Sequence, residues 1–168
     1  MKRIIVISGP SGSGKTTISK KLLKEIPGSI LSISATTRKP RKDELENIDY
    51  FFVTEDEFKR DISEGKFLEW EKIHGNFYGT YKNTIKEALN NGKIIIMDID
   101  PKGGLNVKKI YPEAVLIFLK TISREQLIER LKKRNTETSE DISLRMKRVD
   151  EELAISKKYD YIIENVNI

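Results

Sequence analysis

The sequence predicts a doubly wound parallel α/β fold. Unbroken apolar runs rich in β-branched residues, Ile4-Ile5-Val6-Ile7 and Ile94-Ile95-Ile96-Met97, read as strands buried on both faces of a parallel sheet. Helically spaced segments separate them, so strand and helix alternate over most of the chain. The first run enters a glycine-rich turn that opens directly into a helix. With 168 residues, one domain carrying an inserted lobe is expected. A chain of that size buries about 70% of its unfolded surface and needs no staples.

The elements follow in order. After the strand at 4–7 comes the glycine-rich stretch Gly9 to Gly14. Lys15–Glu25 is helical, with Ile18, Leu22 and Leu23 on one face, and Pro27-Gly28 stops it. Ile30–Ile33 is a second strand. From Ser34 to about Tyr81 the chain turns polar, aromatic and irregular, an inserted lobe of short strands. It holds Tyr50–Val53, a helix opened by the capping box Thr54-x-x-Glu57, Phe67–Trp70 and a turn-rich stretch from Gly75 to Gly79. Alternation then resumes. A helix at Asn83–Leu89 ends at Asn91-Gly92, and the strand Ile94–Met97 closes on Asp98-Ile99-Asp100. A helix runs to Ile110 and stops before Pro112, and Val115–Leu119 is a strand. Ser123-x-x-Gln126 caps a helix to about Lys133. The polar stretch Arg134–Glu140 leads to a long charged helix ending near Lys158, and Tyr161–Ile163 is the last strand.

Composition excludes several kinds of chemistry. With no cysteine there are no disulfides, thiolate zinc sites or cysteine nucleophiles. With one histidine, His74, there is no multi-histidine metal centre. Lys and Arg total 31 against 26 Asp and Glu, a net charge of +5. The cations are interleaved with acids, so the excess suits a small anion such as a nucleotide better than a nucleic acid. The longest apolar runs, Ile4–Ile7 and Ala114–Leu119, fall far short of the ~20 residues of a membrane span. No signal-peptide pattern follows Met1-Lys2-Arg3. The expectation is a cytoplasmic protein without nucleic-acid or membrane partners, a monomer or simple homo-oligomer.

Gly9-Pro10-Ser11-Gly12-Ser13-Gly14-Lys15-Thr16 fits G-x-x-x-x-G-K-[ST], the phosphate-binding P-loop. Glycines let backbone N–H groups turn inward around a phosphate, and the helix N-terminus adds free donors and a positive dipole end. Lys15 reaches the β- and γ-phosphates, the Thr16 hydroxyl suits Mg²⁺, and Thr17 follows in the first helical turn. This loop alone leaves ATPases, GTPases and small kinases open.

Further segments narrow the choice. They are Ser34-x-Thr36-Thr37-Arg38-Lys39-Pro40-Arg41, Asp49-Tyr50-x-Phe52-Val53, Phe67-Leu68-Glu69-Trp70, His74-Gly75-Asn76-x-Tyr78-Gly79-Thr80, Asp98-Ile99-Asp100 and Tyr159-Asp160-Tyr161. With the P-loop they cover nearly the whole chain, and the pattern resembles the guanylate kinases, P-loop enzymes that phosphorylate GMP. The resemblance implies a core of 1–33 and 82–168, a GMP-binding lobe at 34–81 and a helical lid at about 124–148. It assigns Gly9 to Thr17 and Asn165 to ATP. It assigns Ser34, Arg38, Arg41, Tyr50, Glu69, Tyr78, Thr80, Asp98 and Asp100 to GMP.

The chemistry of these residues suits the roles. Arg38 and Arg41 can grip phosphate bidentately, and Tyr50 and Tyr78 donate without adding charge. A carboxylate at Glu69 accepts guanine N1–H and the exocyclic amine together, a donor pair that adenine lacks. Ser34 and Thr80 offer small hydroxyls to O6. Asp98, ending an apolar run, is placed to hold Mg²⁺ through water. Arg134 and Arg145 match the lid arginines over ATP, with Arg130 and Arg148 near enough to assist. Lys15, Arg41, Arg134 and Arg145 form the catalytic set. His74 is not needed as a base, because a phosphate acceptor is already mostly ionised at neutral pH.

Two departures stand out. Relatives usually continue past the last strand with an acidic pair and a terminal helix. Here Val166 follows Asn165 in place of an aspartate, and the expectation is a natural short form. Ala35 replaces a common histidine, a tolerable change. The expected activity is reversible, Mg²⁺-dependent transfer of the ATP γ-phosphoryl to GMP. The alternatives are a non-catalytic guanylate-kinase-like binding module and a P-loop kinase of another small phosphorylated acceptor.

Overall fold

The computed structural model describes residues 3–42, 44–73, 75–120, 125 and 139–165, without the side chains of 139–146. In chain order the elements are β1 (Ile4–Ser8), α1 (Lys15–Glu25), β2 (Ser29–Leu31), β3 (Ser34–Thr36), β4 (Tyr50–Phe52), α2 (Glu55–Ser63), β5 (Phe67–Ile73), β6 (Asn76–Tyr81), α3 (Lys82–Asn90), β7 (Ile94–Asp98), α4 (Pro101–Ile110), β8 (Val115–Lys120), α5 (Ser139–Ser156) and β9 (Tyr161–Glu164).

The main sheet has the order β2-β7-β1-β8-β9, and every pairing in it is parallel. From β1 the chain winds one way to β2. After β7 it winds the other way to β8 and β9. β1 and β7 therefore border the point where winding reverses, and open α/β sheets take ligands beyond the carboxyl ends of such strands. The period-2 geometry of β1 sorts its three isoleucines and its valine between two cores. Ile5 and Ile7 pack with Ile96, Leu119 and the apolar stripe Ile18, Leu22 and Leu23 of α1. Ile4 and Val6 pack with Ile95, Met97, Leu116 and Phe118, under Ile85 and Ala88 of α3, Val107 of α4 and Leu153 and Ile155 of α5.

Residues 34–81 build a second, four-stranded sheet of order β4-β3-β6-β5. β3 and β4 run parallel, while β6 is antiparallel to both β3 and β5. Its core is aromatic and separate: Phe58 of α2 stacks on Phe67 at 4.3 Å and on Phe77 at 5.3 Å between centroids. The capping box forms as expected, with Thr54 and Glu57 exchanging bonds at the start of α2.

Two boundaries differ from the sequence reading. The stretch at 75–79 is mostly strand: Gly75, at φ 81°, makes the reversal, and Asn76 begins β6. Gly79 is a packing residue there, since a Cβ would lie 2.9–3.0 Å from Phe67, Phe58 and Trp70. β2 ends at Leu31 instead of Ile33, because the chain leaves the sheet for β3 after Ser32 N–H donates to Ile96 O. The helix expected at 123–133 falls outside the described residues, as do Arg130, Arg134 and His74. Among the described residues no helix is long and apolar enough to cross a membrane.

Phe58 is fully buried between two rings. Phe58→Ala is expected to cost about 3–5 kcal/mol. That lowers Tm by roughly 10–15 °C, and thermal denaturation with guanidinium titration checks it.

Candidate active site

The loop after β1 is shaped for an anion. Gly12 and Gly14 both sit at φ 90°, a conformation costly for any residue with a Cβ. Gly14 is the N-cap of α1 and offers no side-chain cap, and the first turn contains no acid. The opening N–H groups of α1 are therefore left for a ligand. Lys15 Nζ folds over the loop, donating to Gly9 O at 2.7 Å and Pro10 O at 3.1 Å. Asn165 braces the loop from below: its buried side chain donates to Ser13 O at 2.8 Å.

The next helix residue ties this loop to the neighbouring strand. Thr16 Oγ1 donates to Asp98 Oδ2 at 2.8 Å, at the carboxyl end of β7. A hydroxyl and a carboxylate, both hard oxygen donors, fit a magnesium ion that shares its shell with phosphates. Among the described residues no cluster of three acids or imidazoles could hold a metal unaided.

Opposite the loop lies the lobe. Glu69 is buried on β5, and its Oε1 accepts from Thr80 Oγ1 at 2.7 Å. Its carboxylate approaches the N-terminus of α4 closely enough that a Cβ at Gly103 would come within 2.5 Å of Oε2. Asp100 caps that helix, accepting from Lys102 N at 2.8 Å and Gly103 N at 3.3 Å. Burial, reinforced by Asp100 and Glu71 against the Thr80 bond, pushes the Glu69 carboxyl up to about 7. Tyr50 is pushed up to about 12, by burial first and by Asp98 and Tyr78 after it, so its hydroxyl stays a proton donor.

The two arginines after β3 share a partner that sequence reasoning missed. Arg38 donates to Glu44 Oε1 at 2.9 Å and lies 5.4 Å over the Tyr50 ring, while the Arg41 N–H donates to Glu44 Oε2 at 2.8 Å. Burial alone would raise Glu44, but Arg38 and Arg41 hold it below the usual carboxylate range. The acid three residues beyond Arg41 was the available signal.

One cavity of about 300 Å³ joins these parts. Its wall includes Gly9, Ser11, Gly12, Gly14, Lys15, Thr16, Thr17, Ser34, Arg41, Tyr50, Glu69, Tyr78, Asp98 and Asp100. Pro10, Ser13, Arg38, Thr80 and Asn165 stand behind the wall, and the Thr80 hydroxyl faces Glu69 instead of the cavity. Arg145 lies in α5 with its side chain outside the described residues, and Arg134 lies outside altogether. The wall also contains Ile73, Gly79, Ile99, Arg148, Val149 and Glu152. Of these, Gly79 and Ile99 belong to the quoted motifs and Arg148 was noticed as a lid auxiliary; Ile73, Val149 and Glu152 were not noticed. The i,i+4 spacing of Arg148 and Glu152 was the signal for the acid.

Fold and site together define a class: a doubly wound α/β kinase whose glycine-rich loop and inserted lobe line one cavity. The fold is shared with the shikimate kinase from Acinetobacter baumannii, at a TM-score of 0.53 over 100% of this chain and 86% of that one, with 12% identity. The family is narrower. The guanylate kinase family model matches residues 1–168. Guanylate kinase of Fusobacterium nucleatum subsp. nucleatum is 48% identical over 98% of this chain and 89% of its own length. The crystal structure of guanylate kinase from Anaplasma phagocytophilum superposes with a TM-score of 0.80 and 31% identity, over 99% of this chain and 78% of that one. The chain belongs to the guanylate kinase family.

The Glu69 shift has a stability consequence. Its folded value lies above its ordinary one, so the folded protein binds that proton more tightly than the unfolded chain. The contribution is most favourable below the ordinary carboxylate range and is lost as pH rises through about 7. Glu69→Gln is expected to flatten the fall in Tm between about pH 5 and pH 8. Identical pH profiles for the two proteins would contradict a carboxyl protonated near neutrality.

Proposed function

We propose that this chain transfers the γ-phosphoryl group of ATP to GMP, reversibly, giving ADP and GDP. The observation that carries this reading is the single cavity whose wall combines the Lys15–Thr16 phosphate loop with Glu69, Arg41, Tyr50 and Tyr78 of the lobe. We read 34–81 as a GMP lobe on a core of 1–33 and 82–168, with a lid at about 124–148.

In this reading Gly9 to Thr17 cradle the ATP phosphates. Lys15 exchanges its two carbonyl partners for phosphate oxygens. Thr16, with Asp98 through water, would hold Mg²⁺, which when bound neutralises phosphate charge. Glu69 accepts guanine N1–H and the exocyclic amine, aimed by the Thr80 hydroxyl and given room by Gly103. Ser34 and Asp100 complete the guanine seat. Arg38, Arg41, Tyr50 and Tyr78 hold the acceptor phosphate, and Asn165 steadies the ATP side through the loop.

The reaction asks for positioning and charge neutralisation, with no covalent intermediate. The acceptor phosphate is its own nucleophile and needs no general base. Lys15, Arg41, Arg134 and Arg145 would balance charge on the transferred group. The substrates are small molecules and the setting the cytoplasm.

ADP production from ATP and Mg²⁺ tests this, with GMP, dGMP, AMP, CMP and UMP as acceptors in turn. Turnover with GMP, or with GMP and dGMP alone, is expected. Lys15→Ala should lower it by about 100-fold or more. Normal turnover by that variant, or equal use of AMP, would sink the reading. Because Glu69 must ionise to accept both guanine donors, GMP binding near neutral pH should release a proton. Calorimetry in buffers of different ionisation enthalpy measures this directly.

A further inference from the structure

Arg148 and Glu152 line the cavity, yet the roles above use neither. They lie one turn apart on α5, and Arg148 Nε donates to Glu152 Oε1 at 2.9 Å. Glu152 is buried, at 9% exposure, and Arg148 keeps 23% of its side chain accessible. Burial pushes the Glu152 carboxyl upward, while Lys15 across the cavity and Arg148 beside it pull the other way. The acid therefore stands between the cation of the phosphate loop and a second cation on α5.

An exposed i,i+4 ion pair contributes only about 0.3–0.5 kcal/mol. Holding a carboxylate at this depth costs several kcal/mol unless it is well paired, so local stability gives little reason for an acid here. Geometry supplies a better one. Among the described residues the guanidinium makes only the Nε bond. Its other four N–H donors, those on the two terminal nitrogens, have no partner among the described residues and form a planar fork. Val149 on the same wall is buried, and Leu153 and Ile155 pack α5 on the main core. The pair thus sits on a rigid support, as a preorganised contact requires.

We propose that Arg148 is a further phosphate-contacting residue of the transfer reaction and that Glu152 is the positioning residue that holds its fork toward the phosphates. This rests on the phosphotransferase reading above. Arg148 adds a second planar cation to the cavity wall that Arg41 also lines. Glu152, by taking Nε, leaves the fork one orientation. The acid also limits the net positive charge that Lys15 and Arg148 would otherwise accumulate around bound ADP.

The test compares four variants with the parent in the ATP and GMP assay: Arg148→Met, Arg148→Lys, Glu152→Gln and the double variant Arg148→Met with Glu152→Leu. Arg148→Met should lower kcat by about 10- to 100-fold, the worth of a hydrogen bond to a charged group, with KM for GMP within about twofold. Lysine should not restore kcat, since a point charge lacks both the Nε bond and the fork. Glu152→Gln should lower kcat when Arg148 is present and change nothing further when it is Met.

The double variant separates catalysis from folding. Replacing a buried pair by apolar groups keeps or raises stability. Tm should therefore match the parent while kcat stays low. Parental kcat in the double variant would make the pair merely structural and overturn the proposal, as would equal effects of Glu152→Gln in both backgrounds. A parent without GMP-dependent turnover overturns the functional reading and this inference together. An active parent with unaffected variants overturns this inference alone.

Discussion

Three consecutive residues, Asp98-Ile99-Asp100, constrain the whole site. They leave the sheet beside the point where its winding reverses, between β7 and α4. Asp98 turns toward the phosphate loop and takes the Thr16 hydroxyl, joining the end of one strand to the helix that starts after its neighbour. Asp100, two residues on, caps α4 beside Glu69. The loop side and the lobe side are thus set from one short turn. Moving that turn would displace both at once, so the distance between them is built into the core sheet.

In the guanine-accepting role proposed for it, Glu69 shows what recognition costs in such a place. A buried carboxyl with one hydroxyl donor and an acid for a neighbour is poorly served as an anion, and its upward shift records that. A glutamine would sit there more comfortably, but it could not accept two guanine donors with its two terminal atoms. The fold accommodates the acid by other means. Gly103 removes the side chain that would collide with it, and the aromatic core around Phe58 stabilises the lobe independently. The destabilising residue and the stabilising cluster occupy opposite faces of one small sheet.

Much of this was legible in the sequence, for local reasons. The limits of α1 follow from a loop that ends in lysine and a Pro-Gly stop, and α2 announced itself through its capping box. The strands of the main sheet were visible because burial on two faces leaves unbroken apolar runs. The stretch from Gly75 to Gly79 was misread because glycine and asparagine ordinarily mark turns. Here one glycine turns the chain and the other clears room for three side chains, a reason that exists only after folding. Asn165 was assigned to ATP, and its side-chain amide donates to Ser13 O of the loop. That bond joins residues 152 positions apart, and no local pattern encodes it. Glu44 and Glu152 were passed over because an acid beside a base reads as a solvated pair until its burial is known.

Those two acids share a logic that bears on how the cavity works. A site meant for several phosphates must gather cations, and cations without partners repel one another and bend away. Each acid takes part of an arginine's hydrogen-bonding capacity and leaves the rest aimed. Glu44 does so for Arg38 in the lobe, while its other oxygen accepts from the Arg41 backbone N–H. Glu152 does so for Arg148 on α5, within reach of Lys15. The arginines are thereby kept extended and oriented before any anion arrives, so less conformational freedom is lost on binding. An all-cationic wall of the same shape would attract phosphate more strongly and place it less well. In a reaction that depends on alignment of two phosphates, placement is the quantity that governs rate.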